Sequence, residues 1–313
     1  MGRRVNLVGV AAAVAATGQV KRARAGAARR RLAQAERDTA VENALLETRP
    51  PDRPFVAIVM SALNEQDSIA SVLHALPGSL SGLAVRTLVV DDGSTDDTAA
   101  LARQAGAVVA RHRRNLGQGD GLRTGFALAL EMGAAVVVTM DADGQHDPAQ
   151  LADLLAPIVG DRADYVQGSR FLGRYDDSGS SRHAGIKAFT ALINVLAGIR
   201  ITDCTNGFRA IRASGLRRMR LVEDRFSASE ILIEAAARDL RILEVPVHIR
   251  SRDAGVSKKP GGLRYPLGYL GAIMRSWARA TLRRYPSRPG GHRSDPTGTD
   301  AAAGDAPELT AAG

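Results

Sequence analysis

Two carboxylates stand two residues apart at Asp141 and Asp143 in the run Asp141-Ala142-Asp143-Gly144-Gln145-His146-Asp147-Pro148, directly behind the apolar stretch Ala134-Ala135-Val136-Val137-Val138-Thr139-Met140. A buried strand that delivers them to a glycine-turned loop can hold a hard divalent cation against a diphosphate. Carboxylate oxygens suit Mg²⁺ or Mn²⁺ and leave room for substrate oxygens. That is nucleotide chemistry. A calcium EF-hand loop is excluded, because it needs glycine at its sixth position and a carboxylate at its twelfth, whereas Gly144 is fourth and Ala152 twelfth. The competing reading is a solvated turn, and for the end of the segment it is adopted: Asp147 caps and Pro148 opens the next helix.

A site of this kind needs a sheet to carry it. From Phe55 onward short apolar strands alternate with helices: strands over 55–60, 86–90, 107–110, 134–140 and 164–168, and helices over 66–75, 95–105, 117–132 and 148–158. Such alternation predicts an α/β fold with a mostly parallel central sheet covered by helices on both faces. Ligands then sit at the carboxyl ends of the strands. Four polar loops fall there: residues 61–65, 91–97, 113–119 and the opening acidic loop. Asp92, at a strand end, is placed to accept a hydrogen bond from a nucleobase imide or amide N–H. Ser94 or Thr95 and the Asp96-Asp97 pair read as cap and dipole complement of the helix that follows. Gly117-Gln118-Gly119-Asp120-Gly121 is no dinucleotide fingerprint, since Leu122 occupies the third glycine position. It either lets the backbone approach a nucleotide or packs a helix start.

The chain has 313 residues, 45% of them hydrophobic, and a formal net charge of +9, enough for one full core with dispensable ends. Aromatics are only 4%, with no stacking platforms interleaved among the basic residues, so the excess charge fits lipid phosphate rather than nucleic acid. The single cysteine, Cys204, rules out an internal disulfide and reads as a small buried apolar residue. Residues 5–20 superficially resemble a signal peptide. The following Lys21-Arg22-Ala23-Arg24 and Arg29-Arg30-Arg31 argue against export, and the stretch is short of the ~20 strongly apolar residues of a spanning helix. Residues 1–49 are therefore expected to be a basic, largely helical arm, or in part the product of an early start codon. Residues 286–313 have a disordered composition.

The motifs VVDDGSTDDT (89–98), RRNLGQGDGLRTGFALALEMGAAVVVTMDADGQHDP (113–148), GSR (168–170), DCTNGFRAIR (203–212) and RDAGVSK (252–258), in this order, resemble the family-2 glycosyltransferases of GT-A fold. The closest likeness is to the dolichol- or polyprenyl-phosphate mannosyltransferase branch, over roughly residues 55–260. The resemblance implies a GT-A domain over 50–260, with a donor half at 55–150 and an acceptor half at 151–260. It implies Asp141, Asp143 and Gln145 as ligands of Mg²⁺ or Mn²⁺, and Asp143 and Arg170 as catalytic residues. Donor recognition would fall to Asn64, Glu65, Val90 and Asp92, with Asp143, Arg252 and Lys258 at the phosphates. Arginine's planar fork and lysine's point charge suit phosphate oxygens. Relatives usually have Pro-Thr-Tyr-Asn-Glu where this chain has Ser61-Ala62-Leu63-Asn64-Glu65, which loses an aromatic beside the base.

The implied reaction is inverting transfer of a hexose, mannose by preference, from a nucleotide-diphosphate sugar to a polyprenyl or dolichyl phosphate. The alternatives are transfer to a sugar hydroxyl, which would need a base such as Asp203 or Glu230, and nucleotide-sugar binding or nucleotidyl transfer. Asp203 could instead pin Arg209. Residues 261–285 mix Leu263, Tyr265, Leu267, Tyr269, Leu270, Ile273, Met274 and Trp277 with Arg264, Arg275, Arg279, Arg283 and Arg284. That composition suits either a bilayer interface or a helix that closes the domain. The expected setting is the cytoplasm, peripheral on an anionic membrane face; some relatives work with a membrane-protein partner.

Overall fold

A computed structural model of the protein describes residues 7–175, 180–250 and 264–282. In chain order the elements are α1 (Leu7–Glu47), β1 (Phe55–Ala62), α2 (Ile69–His74), β2 (Ser79–Leu80), β3 (Leu83–Asp91), α3 (Thr98–Gln104) and β4 (Val108–Arg111). Then follow α4 (Gln118–Glu131), β5 (Val136–Thr139), α5 (Leu151–Val159), β6 (Tyr165–Tyr175), α6 (Ser180–Ala197), β7 (Arg209–Arg212), α7 (Ala213–Leu216), α8 (Ser227–Ala237), β8 (Ile242–Ile249) and α9 (Arg264–Leu282).

The strands form one mixed, mostly parallel sheet in the order β2-β3-β1-β5-β7-β6-β8, with β4 also pairing with β3. Alternate residues of β1 feed the two apolar layers this requires. Phe55, Ala57 and Val59 face α4, α6, α8 and α9, and Val56, Ile58 and Met60 face α2, α3 and α5. Strands β1, β3, β4 and β5 run parallel, so the loops that follow them open at one edge. β7 runs antiparallel between β5 and β6. The loop that precedes β7 therefore emerges beside the loop that follows β5.

Beyond small shifts of element ends, the structure departs from the sequence reading in several places. Helix α2 begins at Ile69 rather than at residue 66, and ahead of it the Glu65 and Gln66 N–H groups donate to the Thr98 hydroxyl and to Asp96. Asp96, not Ser94 or Thr95, satisfies the start of α3 by accepting from the Thr98 N–H (3.1 Å). Ser94 Oγ instead accepts from the Asn64 N–H (2.9 Å). Strand β6 runs on past residue 168 to Tyr175 and is irregular between Ser169 and Arg174 against β8. Finally, the end of α1 is not a dispensable arm: Ala40, Val41 and Ala44 are buried in the core. Asp147 does cap its helix as expected, accepting from the Ala149 N–H (3.1 Å) ahead of a single 3₁₀ turn and α5.

Candidate active site

The loops after β1, β3, β4 and β5 wall a cleft of about 390 Å³. They contribute Leu63 and Glu65, Asp92, Asn115 and Gly117, and Asp141, Ala142, Asp143 and Gln145. The far wall is Thr205, Gly207 and Arg209 around the start of β7, Phe226 and Ser227 at the start of α8, and Tyr269 of α9.

The acidic loop is held from below by a residue that sequence reasoning passed over. His146 is buried and stacks on Phe208 with ring centroids 4.8 Å apart. Its Nδ1 accepts the Asp141 N–H (3.0 Å), so Nε2 carries the proton and donates to Asn206 Oδ1 (3.2 Å). Burial pushes the imidazole pKa below its ordinary value, which keeps it neutral in this role. Its position directly after Gln145 in the motif was the available signal. Asp143 Oδ1 accepts from the Gln145 N–H (3.2 Å). Gln145 donates from Nε2 to the Arg250 carbonyl (3.1 Å), and its own carbonyl accepts the Arg250 N–H (2.9 Å), which staples the loop to the end of β8. Gly207 leaves room beside Asp141: an added Cβ would lie 3.1 and 3.2 Å from the two carboxylate oxygens.

These residues fit a hard divalent cation of the Mg²⁺ type. Among the described residues no three His, Cys, Asp or Glu side chains cluster around one point. Asp141, Asp143 and Gln145, which line the cleft together, would supply two carboxylates and an amide oxygen to such an ion, with room for phosphate oxygens and water.

On the donor side Asp92 is buried, and both its oxygens are engaged. Oδ1 accepts from His112 Nδ1 (2.7 Å) and the Leu116 N–H (2.9 Å), and Oδ2 from the Gly117 N–H (2.8 Å). His112 Nε2 lies 2.8 Å from Thr124 Oγ1. Asp92 thus organises the 112–117 loop while still facing the cleft, since each carboxylate oxygen has two lone pairs. Two expected donor residues lie elsewhere. Val90 is fully buried against Gly125 of α4, because its side chain falls on the core face of β3. Asn64, at φ 51°, turns its Oδ1 to the Thr95 N–H (3.0 Å) and braces two loops. Gly119 and Gly121 of the 117–121 run serve packing. A Cβ on Gly119 would stand 2.1 Å from the Glu223 carbonyl oxygen, and one on Gly121 2.1 Å from Ser61 Oγ.

On the far wall Arg170 donates from Nε to Asp203 Oδ2 (2.6 Å) and from Nη2 to Thr205 Oγ1 (3.3 Å), behind the cleft surface. Asp203 is therefore committed to Arg170 and to the Thr205 N–H (3.1 Å), and does not pin Arg209. Arg209 is 1% exposed and donates to the Ala228 and Asn206 carbonyls. It has no carboxylate partner among the described residues, so its charge acts through a low-dielectric floor. Glu230 is a brace rather than a base: it accepts from the Val222 and Glu223 N–H groups (2.9 Å each) and from Arg279 (2.8 Å). Burial raises its pKa. Arg252 and Lys258 lie outside the described residues, as do 286–313. Cys204 is buried and unpaired in any disulfide, its thiol pKa raised by burial.

Helix α9 closes the domain. Tyr269, Ala272 and Ile273 are buried, and Trp277 Nε1 donates to the Leu196 carbonyl (2.8 Å). Arg275 and Arg279 reach Glu223 (2.8 and 2.9 Å), whose main chain adjoins Gly119. Burial alone would raise the Glu223 pKa, but the hydrogen bonds from these arginines outweigh it and hold the carboxyl below its usual range. On the outer side Leu267, Leu270 and Met274 are exposed. Among the described residues no helix is long and apolar enough to cross a membrane.

A parallel-stranded nucleotide cleft with an Asp-x-Asp loop at a strand end defines a nucleotide-diphospho-sugar transferase of the GT-A type. The fold is shared with glucosyl-3-phosphoglycerate synthase of Mycobacterium tuberculosis, solved with Mn²⁺, UDP and glucosyl-3-phosphoglycerate. That match has a TM-score of 0.55 at 23% identity and covers 78% of this chain and 82% of that one. The chain belongs to glycosyl transferase family 2, whose family model matches residues 57–220. It falls in the polyprenol-phosphate mannosyltransferase-like branch. It is 34% identical over 219 residues to undecaprenyl-phosphate mannosyltransferase of Micrococcus luteus (66% of this chain, 88% of that one). It is also 33% identical over 229 residues to polyprenol monophosphomannose synthase of Mycolicibacterium smegmatis (68% and 83%). Dolichyl-phosphate hexose transferase of Haloferax volcanii is 34% identical over 203 residues (65% and 86%).

Proposed function

We propose that this glycosyltransferase moves a hexose, mannose by preference, from a nucleotide-diphosphate sugar to a polyprenyl phosphate presented at an anionic membrane surface on the cytoplasmic side. The observation that carries the reading is one cleft in which Asp141 and Asp143 face a wall that leads, through Tyr269, to a helix with an exposed apolar ridge. The names of the relatives, which act on undecaprenyl, polyprenol and dolichyl phosphates, support the acceptor class.

Asp141, Asp143 and Gln145 would hold the divalent ion, which, when bound, offsets the charge that builds on the departing diphosphate. Glu65 and Asp92 orient the nucleoside, and Arg209 adds a buried positive field beneath the phosphates. Arg170 is kept from shifting by Asp203 and fixes the Thr205 loop. Arg252 and Lys258 supply the cations for the phosphates, on the strength of the motif resemblance. An oxygen of the lipid phosphate forms the new bond to the anomeric carbon as the bond to the β-phosphate oxygen breaks, and the nucleoside diphosphate leaves with the electron pair. The centre inverts. Because a phosphate monoester is already ionised near neutral pH, no general base is required, in keeping with the structural use of Asp203 and Glu230.

The test is a radiolabelled donor panel with polyprenyl phosphate and Mg²⁺ or Mn²⁺. The reading expects label in an acid-labile lipid; label only in glycan, or none with any donor, overturns it. Flotation with phosphatidylglycerol vesicles tests the membrane surface. Leu267→Glu with Leu270→Glu, both outside the core, is expected to abolish binding, and undiminished flotation would refute it.

A further inference from the structure

Helix α1 precedes the family-matched segment, which begins at residue 57, yet it is built into the donor wall. Ala40, Val41 and Ala44 are buried in the same core layer as Leu122, Phe126 and Ala129 of α4. One turn earlier Arg37 pairs with Asp120, which also holds Arg123 (2.6 Å). Beside it, a Glu36 carboxylate oxygen accepts the main-chain N–H of Arg113.

Arg113 lies in the 112–117 loop, which Asp92 ties from the cleft side at both ends, through His112 Nδ1 and through the Leu116 and Gly117 N–H groups. Gly93 lets the loop lie close, since a Cβ there would stand 2.5 Å from the Arg114 carbonyl carbon. Two carboxylates therefore fix this loop: Asp92 on the cleft side and Glu36 from α1 on the outer side. Asn115, which faces the cleft, lies between the points held by Glu36 and by Asp92, and Gly117, which also faces it, is one of the points Asp92 holds.

We infer that Glu36 is a positioning residue for donor binding, so that an element outside the matched family segment sets the affinity of the nucleotide site. The inference rests on the nucleotide-sugar reading of the cleft. A loop left loose must be ordered when ligand binds, and the entropy lost in fixing its residues falls on affinity rather than on the chemical step. Glu36→Ala removes the acceptor, Glu36→Asp keeps the charge but shortens its reach, and Glu36→Gln keeps an acceptor oxygen at full reach.

The experiment pairs hydrogen exchange over residues 111–118 with calorimetric binding of UDP and GDP in Mn²⁺ and with steady-state kinetics. Glu36→Ala is expected to speed exchange in that segment but not in β1 or β5. It should weaken nucleoside diphosphate binding and raise donor KM about five- to tenfold with kcat nearly unchanged, and Glu36→Gln should restore most of both. Should Glu36→Ala fail to fold, Glu36→Asp carries the same expectations. Wild-type affinity and loop exchange in Glu36→Ala overturn the inference, as does an equal fall in kcat that Gln does not rescue. A wild-type chain that binds neither nucleotide overturns the functional reading, and the inference as a statement about donor fails with it.

Discussion

Replacing Asp92 by asparagine changes almost no volume and tests how the donor wall is held. The carboxylate accepts three hydrogen bonds, from His112 Nδ1, the Leu116 N–H and the Gly117 N–H. An asparagine oriented to keep the first two turns its own NH₂ toward the Gly117 N–H, and flipping the amide moves the conflict to His112 and Leu116. At least one buried donor is left without an acceptor, at about 1–3 kcal/mol, and the retained bonds lose their ionic character at about 0.5–1 kcal/mol each. The sum is ~3 kcal/mol, which for a domain of this size lowers Tm by roughly 6–12 °C. Thermal melts and urea titrations without ligand read it directly, followed by nucleoside diphosphate binding. A melting point within about 2 °C of wild type with nucleotide binding lost would refute the reasoning. Asp92 would then serve only the base, and the loop would be held by other means.

Asp143→Asn is expected to keep the fold and lower kcat by about 100-fold or more across a Mn²⁺ titration, since a ligand and its charge are lost together. Gly119→Ala drives a methyl to 2.1 Å from the Glu223 carbonyl oxygen. Backbone cannot yield there as a side chain can, so a loss of about 2–3 kcal/mol in urea unfolding is expected, with donor KM raised. Hydrogen bonds from Arg241 hold the Asp164 carboxyl at about 2, below its ordinary 3.8. Its contribution is thus complete above pH ~4 and lost as pH falls toward 2, and Arg241→Gln should flatten that part of the acid-unfolding profile.

The donor half was legible because its strands are continuous apolar runs and its polar residues gather at their carboxyl ends. Val90 shows the limit: motif position placed it at the base, but the pleat of β3 turns it into the core. The acceptor half was harder to read. β7 is four residues with arginine at each end, and β8 carries Pro246 and a half-exposed pattern. Both are strands only because neighbours distant in sequence pair with them. Asp203 and Arg209 share a motif, yet Arg170 captures the carboxylate from another strand, which no local spacing announces. The seating of α1 was hidden for a different reason: its buried contact residues are small, two alanines and a valine, with Leu45 packing beside them, and so leave no marked apolar stripe.

The antiparallel course of β7 divides inheritance as well as space. Every donor-side loop is encoded before residue 148, whereas the far wall comes from residues 203–209, the start of α8 and α9. They meet at the β5–β7 ladder, four residue pairs from Val136–Arg212 to Thr139–Arg209, and through the ties of His146 to Asn206 and of Gln145 to Arg250. A lineage, or an engineer, could exchange the chain after residue 148 and redirect which acceptor receives the sugar while leaving donor choice alone, so long as Gly207 still clears Asp141 and the ties of the acidic loop to Asn206 and to the end of β8 are kept.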